Sequence, residues 1–194
     1  MTVTGLLLAA GAGSRMGMPK ALVRDDAGPW LTRAVRTLLD GGCPQVVVVL
    51  GAEADRAEPL VPGAPEVAVV RCATWRAGMG ASLSTGLEAL EGTPATGALV
   101  HLVDLPDVTA AVVARILAQA PAGTSALARA AYDGEPGHPV LLGRDHWAGV
   151  RDASTGDRGA RLYLSVNDPQ LVECGDLASG VDVDEPTADQ RPAH

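Results

Sequence analysis

The sequence contains no phenylalanine, and aromatic residues make up only 3% of its 194 positions. Its core must therefore be packed from alanine, valine and leucine, which the 47% hydrophobic content allows. Cysteine is scarce too: Cys43, Cys72 and Cys174 stand far apart with no C-x-x-C spacing. That argues against a disulfide framework or zinc centre and for reduced thiols. Fifteen Lys and Arg against 23 Asp and Glu leave a formal net charge of −8. Such a balance disfavours non-specific nucleic-acid binding but leaves room for a local cationic pocket. No apolar run approaches the ~18 residues of a membrane span, and the N-terminus shows no basic leader. A cytoplasmic protein, with neither nucleic acid nor membrane as partner, is the expectation.

Glycine and proline are frequent (23 and 14) but punctuate apolar runs, as in a globular chain. Short Val- and Leu-rich runs at 5–10, 46–50, 67–70 and 98–103 suit strands buried on both faces. Amphipathic segments lie between them, and Leu31, Ala34, Val35, Leu38 and Leu39 share one helical face. Asp107 is read as the cap of the helix carrying Val112, Val113, Ile116 and Leu117. Residues 125–131 and 138–142, joined by Asp133-Gly134, read as two strands and a tight turn. Helices are expected at 145–151 and 158–164, and short strands at 171–174 and 180–183. The whole predicts an α/β fold: a three-layer α/β/α Rossmann-like open sheet, mostly parallel, with a small antiparallel addition. One domain over 1–190 and a flexible tail at 191–194 are expected.

Ligands of open α/β sheets bind beyond the carboxyl ends of the strands. The first strand runs out near Ala9-Ala10, and "GAGSRMGMPK" follows there. Glycines let backbone N–H groups converge on an anion, Ser14 adds a hydroxyl, and Arg15 and Lys20 can neutralise phosphate oxygens. A P-loop is excluded because Ala21 follows Lys20 where Ser or Thr is required. A dinucleotide fingerprint is disfavoured because Met16 stands where the third glycine belongs. Asp104, closing a hydrophobic strand in "HLVDLPD", sits on the same sheet edge and suits Mg²⁺ on phosphates. Asp182 and Asp184, two apart, are a further carboxylate pair whose side-by-side placement is costly unless solvated or metal-bound.

The stretch "LAAGAGSRMGMPKAL" closely resembles the signature loop of nucleotidyltransferases with a MobA-like NTP transferase domain. Leu8, Ala9, Ala10, Gly11, Gly13, Arg15, Met16, Gly17 and Lys20 match its pattern L-A-A-G-x-[GS]-x-R-[MF]-G-x-x-K. Within that superfamily the chain is most similar to the molybdenum cofactor cytidylyltransferases. The resemblance implies a nucleotide-diphospho-sugar transferase-like fold. It implies nucleotide contacts from Ala9, Ala10, Gly11, Gly13 and Ser14, and from Gly80 and Ser82 in "WRAGMGASLSTGL". It assigns catalytic roles to Arg15, Lys20 and Asp104, with Mg²⁺ on Asp104 and on Asp182 or Asp184. "GHPV" and "GDRGAR" are similar to the family's acceptor-side segments, which carries acceptor contact to His138, Asp157 and Arg161. His101 and His194 are assigned no role, and His146 is expected on an exposed helix face.

The implied reaction moves an NMP from an NTP to a phosphorylated acceptor and releases pyrophosphate. The Leu-Ala-Ala-Gly opening favours CTP over GTP, and the implied acceptor is molybdopterin. A transient contact with a molybdenum oxidoreductase would then follow. The chain departs from the family's D-Q-P at Leu105 and from its D-I-D-T-P at Glu185, which bears on the acceptor. Two alternatives stay open: a sugar-phosphate nucleotidyltransferase, and a non-catalytic chaperone that binds nucleotide or molybdenum cofactor.

Overall fold

Strand β1 (Val3–Ala9) is buried at every position, so both of its faces must be covered by other elements. In the computed structural model, which describes residues 1–154, 156–185 and 191–192 (the side chains of Asp157, Arg191 and Pro192 excepted), it lies inside a seven-stranded sheet. β1 pairs in parallel with β4 (Gln45–Leu50) and β6 (Gly97–Leu102), and β5 (Val67–Arg71) extends the sheet beyond β4. On the other side β8 (Glu135–Gly143) runs antiparallel to β6, and β7 (Leu127–Tyr132) runs antiparallel to β8. β9 (Gln170–Glu173) closes that edge in parallel with β7. The order is β5-β4-β1-β6-β8-β7-β9. A second sheet of β10-β2-β3 is formed by β2 (Val23–Asp25), β3 (Gly28–Pro29) and β10 (Arg191–Pro192). Arg191 and Pro192, placed by the sequence in a flexible tail, thus pair with Arg24 and Val23.

Successive strand residues face opposite sides, and each side carries its own apolar layer. Leu7, Val48 and Leu99 pack with α1 (Trp30–Asp40) and α4 (Ala110–Gln119) through Leu31, Val35, Leu38, Val113 and Ile116. Leu6, Val49 and Val100 pack against α3 (Met79–Glu91), α5 (Trp147–Ala153) and α6 (Arg161–Asn167). A short helix α2 (Ala54–Ala57) follows β4. Gly86 sets the α3 approach, since a Cβ there would meet Leu6 Cδ1 at 2.5 Å. The β7–β8 hairpin turns on Asp133 and Gly134, both at positive φ (53° and 84°), the backbone that two-residue hairpin turns require.

The three-layer, mostly parallel sheet with an antiparallel addition is the expected fold. Three local expectations are corrected. Residues 180–183 form no strand, because among the described residues their one ladder-like bond is Val183 N–H to the Asp104 carbonyl (3.0 Å). The helix expected from 158 begins at Arg161, after a 3₁₀ turn over Gly156–Arg158. His146 is half-buried: its ring bonds the Tyr163 hydroxyl (2.9 Å) and the Ser125 carbonyl (3.0 Å). Among the described residues no helix is long and apolar enough to cross a membrane.

Candidate active site

The loop after β1 folds over the carboxyl end of the sheet because Gly13 adopts φ +61° and brings its Cα against the chain ahead. A Cβ at this position would lie 1.9 Å from the Met18 carbonyl oxygen, so only glycine fits. Met16 is buried in the core beneath the loop and pins it, while Ser14 and Arg15 stay exposed. A 3₁₀ turn over Lys20–Leu22 buries Ala21 and Leu22 and holds Lys20 at the rim.

Lys20 Nζ donates to Asp104 Oδ2 (2.8 Å) and to Asp184 Oδ1 (2.5 Å). Arg15 pairs with Asp184 Oδ2. Burial disfavours the Lys20 ammonium, but the hydrogen bonds to Asp104 and Asp184 outweigh it and hold its pKa above the ordinary lysine value. The hydrogen bond from Lys20, against a small desolvation cost, holds the Asp184 carboxyl below the usual range. Carboxylate oxygens of Asp104, Asp182 and Asp184 all lie within 4.8 Å of one another. Asp104 Oδ1 is buried with no hydrogen-bond partner among the described residues. An orphaned acceptor beside two more carboxylates is a hard-oxygen set that fits a divalent cation such as Mg²⁺ or Mn²⁺.

Asp107 does not cap α4; Thr109 occupies that position. Asp107 Oδ2 instead accepts from Ser179 N (2.7 Å), Ser179 Oγ (2.6 Å) and Gly180 N (3.2 Å). This tether, with the Val183-to-Asp104 bond, brings residues 182–184 alongside Asp104.

Two cavities of about 480 Å³ each meet here, sharing Leu8, Met79, Leu102 and Asp104. The first is lined by Ala9, Gly11, Gly13, Ser14, Arg15, Lys20, Ser82 and Asp184. Ser82, in the first turn of α3, has no partner for its hydroxyl among the described residues. The second cavity holds His138, Arg161 and Asp182, with Arg129 and Arg158. Burial, then the nearby Arg129 charge, lowers the His138 pKa to about 4, so its imidazole is neutral at pH 7.

Two expected nucleotide contacts lie off the cavity wall. Ala10 is buried and its carbonyl accepts from Ala52 N (3.0 Å). Gly80 is glycine for packing: a Cβ would meet the Ser154 carbonyl oxygen at 2.9 Å. The Asp157 side chain lies outside the described residues. Trp75 and Arg76, unassigned from the sequence, form a wall in which the guanidinium stacks 4.4 Å from the indole centroid. A lone arginine within the apolar run "ALARAAY" was the one available signal for Arg129.

A glycine-rich loop with two cations, facing three carboxylates across the carboxyl edge of a parallel sheet, defines an α/β protein whose site is suited to an anion and a divalent cation. The model of the MobA-like NTP transferase domain matches residues 5–172, and the chain belongs to that family of nucleotidyltransferases. A protein named nicotine blue oxidoreductase, from Paenarthrobacter nicotinovorans, is 37% identical over 190 residues, 94% of this chain and 92% of its own. A probable molybdenum cofactor guanylyltransferase from Rhodopirellula baltica is 35% identical over 106 residues, 54% of this chain and 49% of its own. The fold matches a solved nucleotidyl transferase from Methanothermobacter thermautotroptrophicus (TM-score 0.78, 23% identity, 95% and 92% of the two chains). It also matches Rv0371C of Mycobacterium tuberculosis H37Rv in complex with manganese (TM-score 0.71, 25% identity, 94% of each chain).

Proposed function

We propose that the protein transfers an NMP from an NTP, CTP in the first instance, to the terminal phosphate of molybdopterin or a similar acceptor, releasing pyrophosphate in the cytoplasm. The observation that carries this reading is the junction of the two cavities at Asp104, with Lys20 and Arg15 on one side and Asp182 and Asp184 beside it. An acceptor phosphate entering from the second cavity meets a triphosphate lying in the first. Its oxygen attacks the α-phosphorus, the bond to the β-phosphate bridging oxygen breaks, and that oxygen leaves on pyrophosphate.

A phosphate monoester is already ionised near neutral pH, so no general base is needed. Catalysis then rests on alignment and on neutralising charge. The loop amides around Gly11 and Gly13 face the triphosphate. Arg15 and Lys20 are placed to take up the charge that grows on the leaving pyrophosphate. Asp104, Asp182 and Asp184 would hold Mg²⁺, and the manganese complex of a 25%-identical structure supports a divalent ion in this role. When bound, such an ion supplies charge neutralisation on the transferring phosphoryl group. His138 and Arg161 contact the acceptor.

A pyrophosphate-release panel tests the reading: four NTPs against molybdopterin and several sugar phosphates, with Mg²⁺. Turnover with CTP and molybdopterin is expected. Turnover only with GTP would correct the donor, and turnover only with a sugar phosphate would correct the acceptor. Binding of both ligands with no pyrophosphate would leave a chaperone.

The name of the 37%-identical relative favours a second reading, in which the same cavities serve an oxidoreductase. A nucleotide-bearing cofactor would occupy the first cavity and an electron-accepting ring the second. Three clustered carboxylates and an orphaned Asp104 oxygen have no use in hydride transfer, which weighs for phosphoryl chemistry. Oxidation of a reduced nicotinamide nucleotide by an aromatic acceptor, without pyrophosphate release, would reverse that weighting.

A further inference from the structure

Lys20, Arg15, Arg33, Arg115 and Arg151 each rest on a carboxylate. Arg129, Arg158 and Arg161 do not, among the described residues, although acids outnumber bases 23 to 15. All three line the second cavity. Unpaired guanidinium groups gathered in one concavity of an acidic protein are a site prepared for an anion.

Arg129 is the most constrained of them. It sits on β7 beside the bulge where the pairing with β8 shifts register between Arg129 and Ala131. Its Nε and Nη2 both donate to the Gly137 carbonyl (3.2 and 3.1 Å), which fixes the plane of the fork. Nη1 is left without a partner among the described residues. Desolvation, and then the like charge of Arg161, depresses its pKa. Two neighbouring cations with no ion pair among the described residues repel, and a bound anion relieves both penalties. His138 in the same wall is neutral at pH 7 and cannot substitute for that charge. Leu83, Val100, Leu142 and Leu164 give the same cavity an apolar lining, with Val100 and Leu142 on the sheet face that carries Arg129.

We propose that Arg129 is a specificity-determining residue: with Arg161 it cradles the non-attacking oxygens of the acceptor phosphate, and the apolar lining beside it takes an apolar ring attached to that phosphate. The acceptor class is then an organic phosphate with a ring-like, weakly hydroxylated body, rather than a sugar phosphate. This assignment rests on the nucleotidyl-transfer reading for its substrate, while the cradle itself rests only on the arginines.

Crystals of the full chain soaked in selenate separate the two. Anomalous density is expected between Arg129 and Arg161, lost in Arg129→Gln and in Arg161→Gln, and retained in Arg129→Lys. Arg161 is exposed, so its variant tests the cradle even if the Arg129 variants fold poorly. In turnover assays Arg129→Gln should raise the acceptor KM about tenfold or more while leaving the NTP KM unchanged. Selenate found only at the Gly11–Lys20 loop, or an acceptor KM unmoved by Arg129→Gln, overturns the proposal. Selenate bound in an Arg129-dependent way, with no pyrophosphate from any donor and acceptor, keeps the cradle and overturns nucleotidyl transfer.

Discussion

At the scale of single residues, Gly13 and Lys20 make separable demands. Gly13 holds a backbone conformation at φ +61° that a side chain would both strain and block, with Met18 O only 1.9 Å from the added carbon. Gly13→Ala should therefore displace the loop at a stability cost of about 1–3 kcal/mol and weaken nucleotide binding. Urea unfolding and calorimetric nucleotide titration measure the two effects, and an unchanged Kd would count against the loop as the triphosphate site. Lys20 is a question of charge rather than shape. Its ammonium lies against two carboxylates at 2.8 and 2.5 Å, and under the proposed reaction it would shift towards the leaving pyrophosphate. Lys20→Ala should lower kcat by about 10²–10³, the usual loss for one transition-state donor, with little change in acceptor KM. Lys20→Arg should restore only part, because a planar fork does not replace a point charge between two acids. A Lys20→Ala enzyme of undiminished kcat would remove Lys20 from the mechanism.

At the scale of elements, what the sequence made legible was whatever local pattern decides. β1, β4 and β6 are apolar at consecutive positions, and α1 repeats its apolar residues with helical period, so their burial follows from spacing alone. The glycine loop was legible for the same reason. Asp107 was not: nothing near it in sequence says that its carboxylate will hold Ser179 and Gly180, 72 and 73 residues away. The segment at 180–183 alternates like a strand yet finds no ladder, because Asp104 offers it a single carbonyl. Long-range pairing decided both cases. The tether has a consequence: Asp107→Asn should loosen residues 179–184 and weaken divalent-metal binding about tenfold, as loss of an outer support does, with the melting temperature little changed. Calorimetric Mn²⁺ titration checks it. β6 and its neighbour β8 carry another element-level effect. Burial lowers the pKa of His101 to about 3 and that of His138 to about 4. Below the unfolded value near 6.5 the unfolded chain takes up protons that the folded chain refuses. Stability should therefore fall as pH drops from 6.5 towards 4 and be fully present above 7. Urea midpoints from pH 7 to 4.5 should show this slope, and His101→Leu should make it shallower, leaving the His138 share; a level wild-type profile would refute it.

At the scale of the whole molecule, the two cavities are joined by a charge network that cannot serve all its partners at once. Lys20 holds Asp104 and Asp184, and Arg15 holds Asp184. A cation arriving alone must compete with the ammonium and the guanidinium for those oxygens. A triphosphate arriving alone must draw Lys20 and Arg15 off acids that are then left close together and unneutralised. Arriving together, each ligand removes the other's obstacle: the triphosphate takes the cations, and the freed carboxylates take the metal. Metal and nucleotide should therefore bind with positive coupling, within the 5–150-fold range typical of linked sites, and by thermodynamic necessity each should tighten the other equally. Mn²⁺ titrated by electron paramagnetic resonance, with and without a non-hydrolysable CTP analogue, measures the coupling. The double variant Asp104→Asn/Asp184→Asn supplies the blank for metal held by the nucleotide itself. Lys20→Ala provides the decisive comparison. It removes the competitor, so Mn²⁺ alone should bind this variant more tightly than the wild type, while the tightening by nucleotide shrinks. If Lys20→Ala instead weakened Mn²⁺ binding in the absence of nucleotide, Lys20 would be organising the carboxylates rather than occupying them, and the exchange of partners across the junction would have to be abandoned.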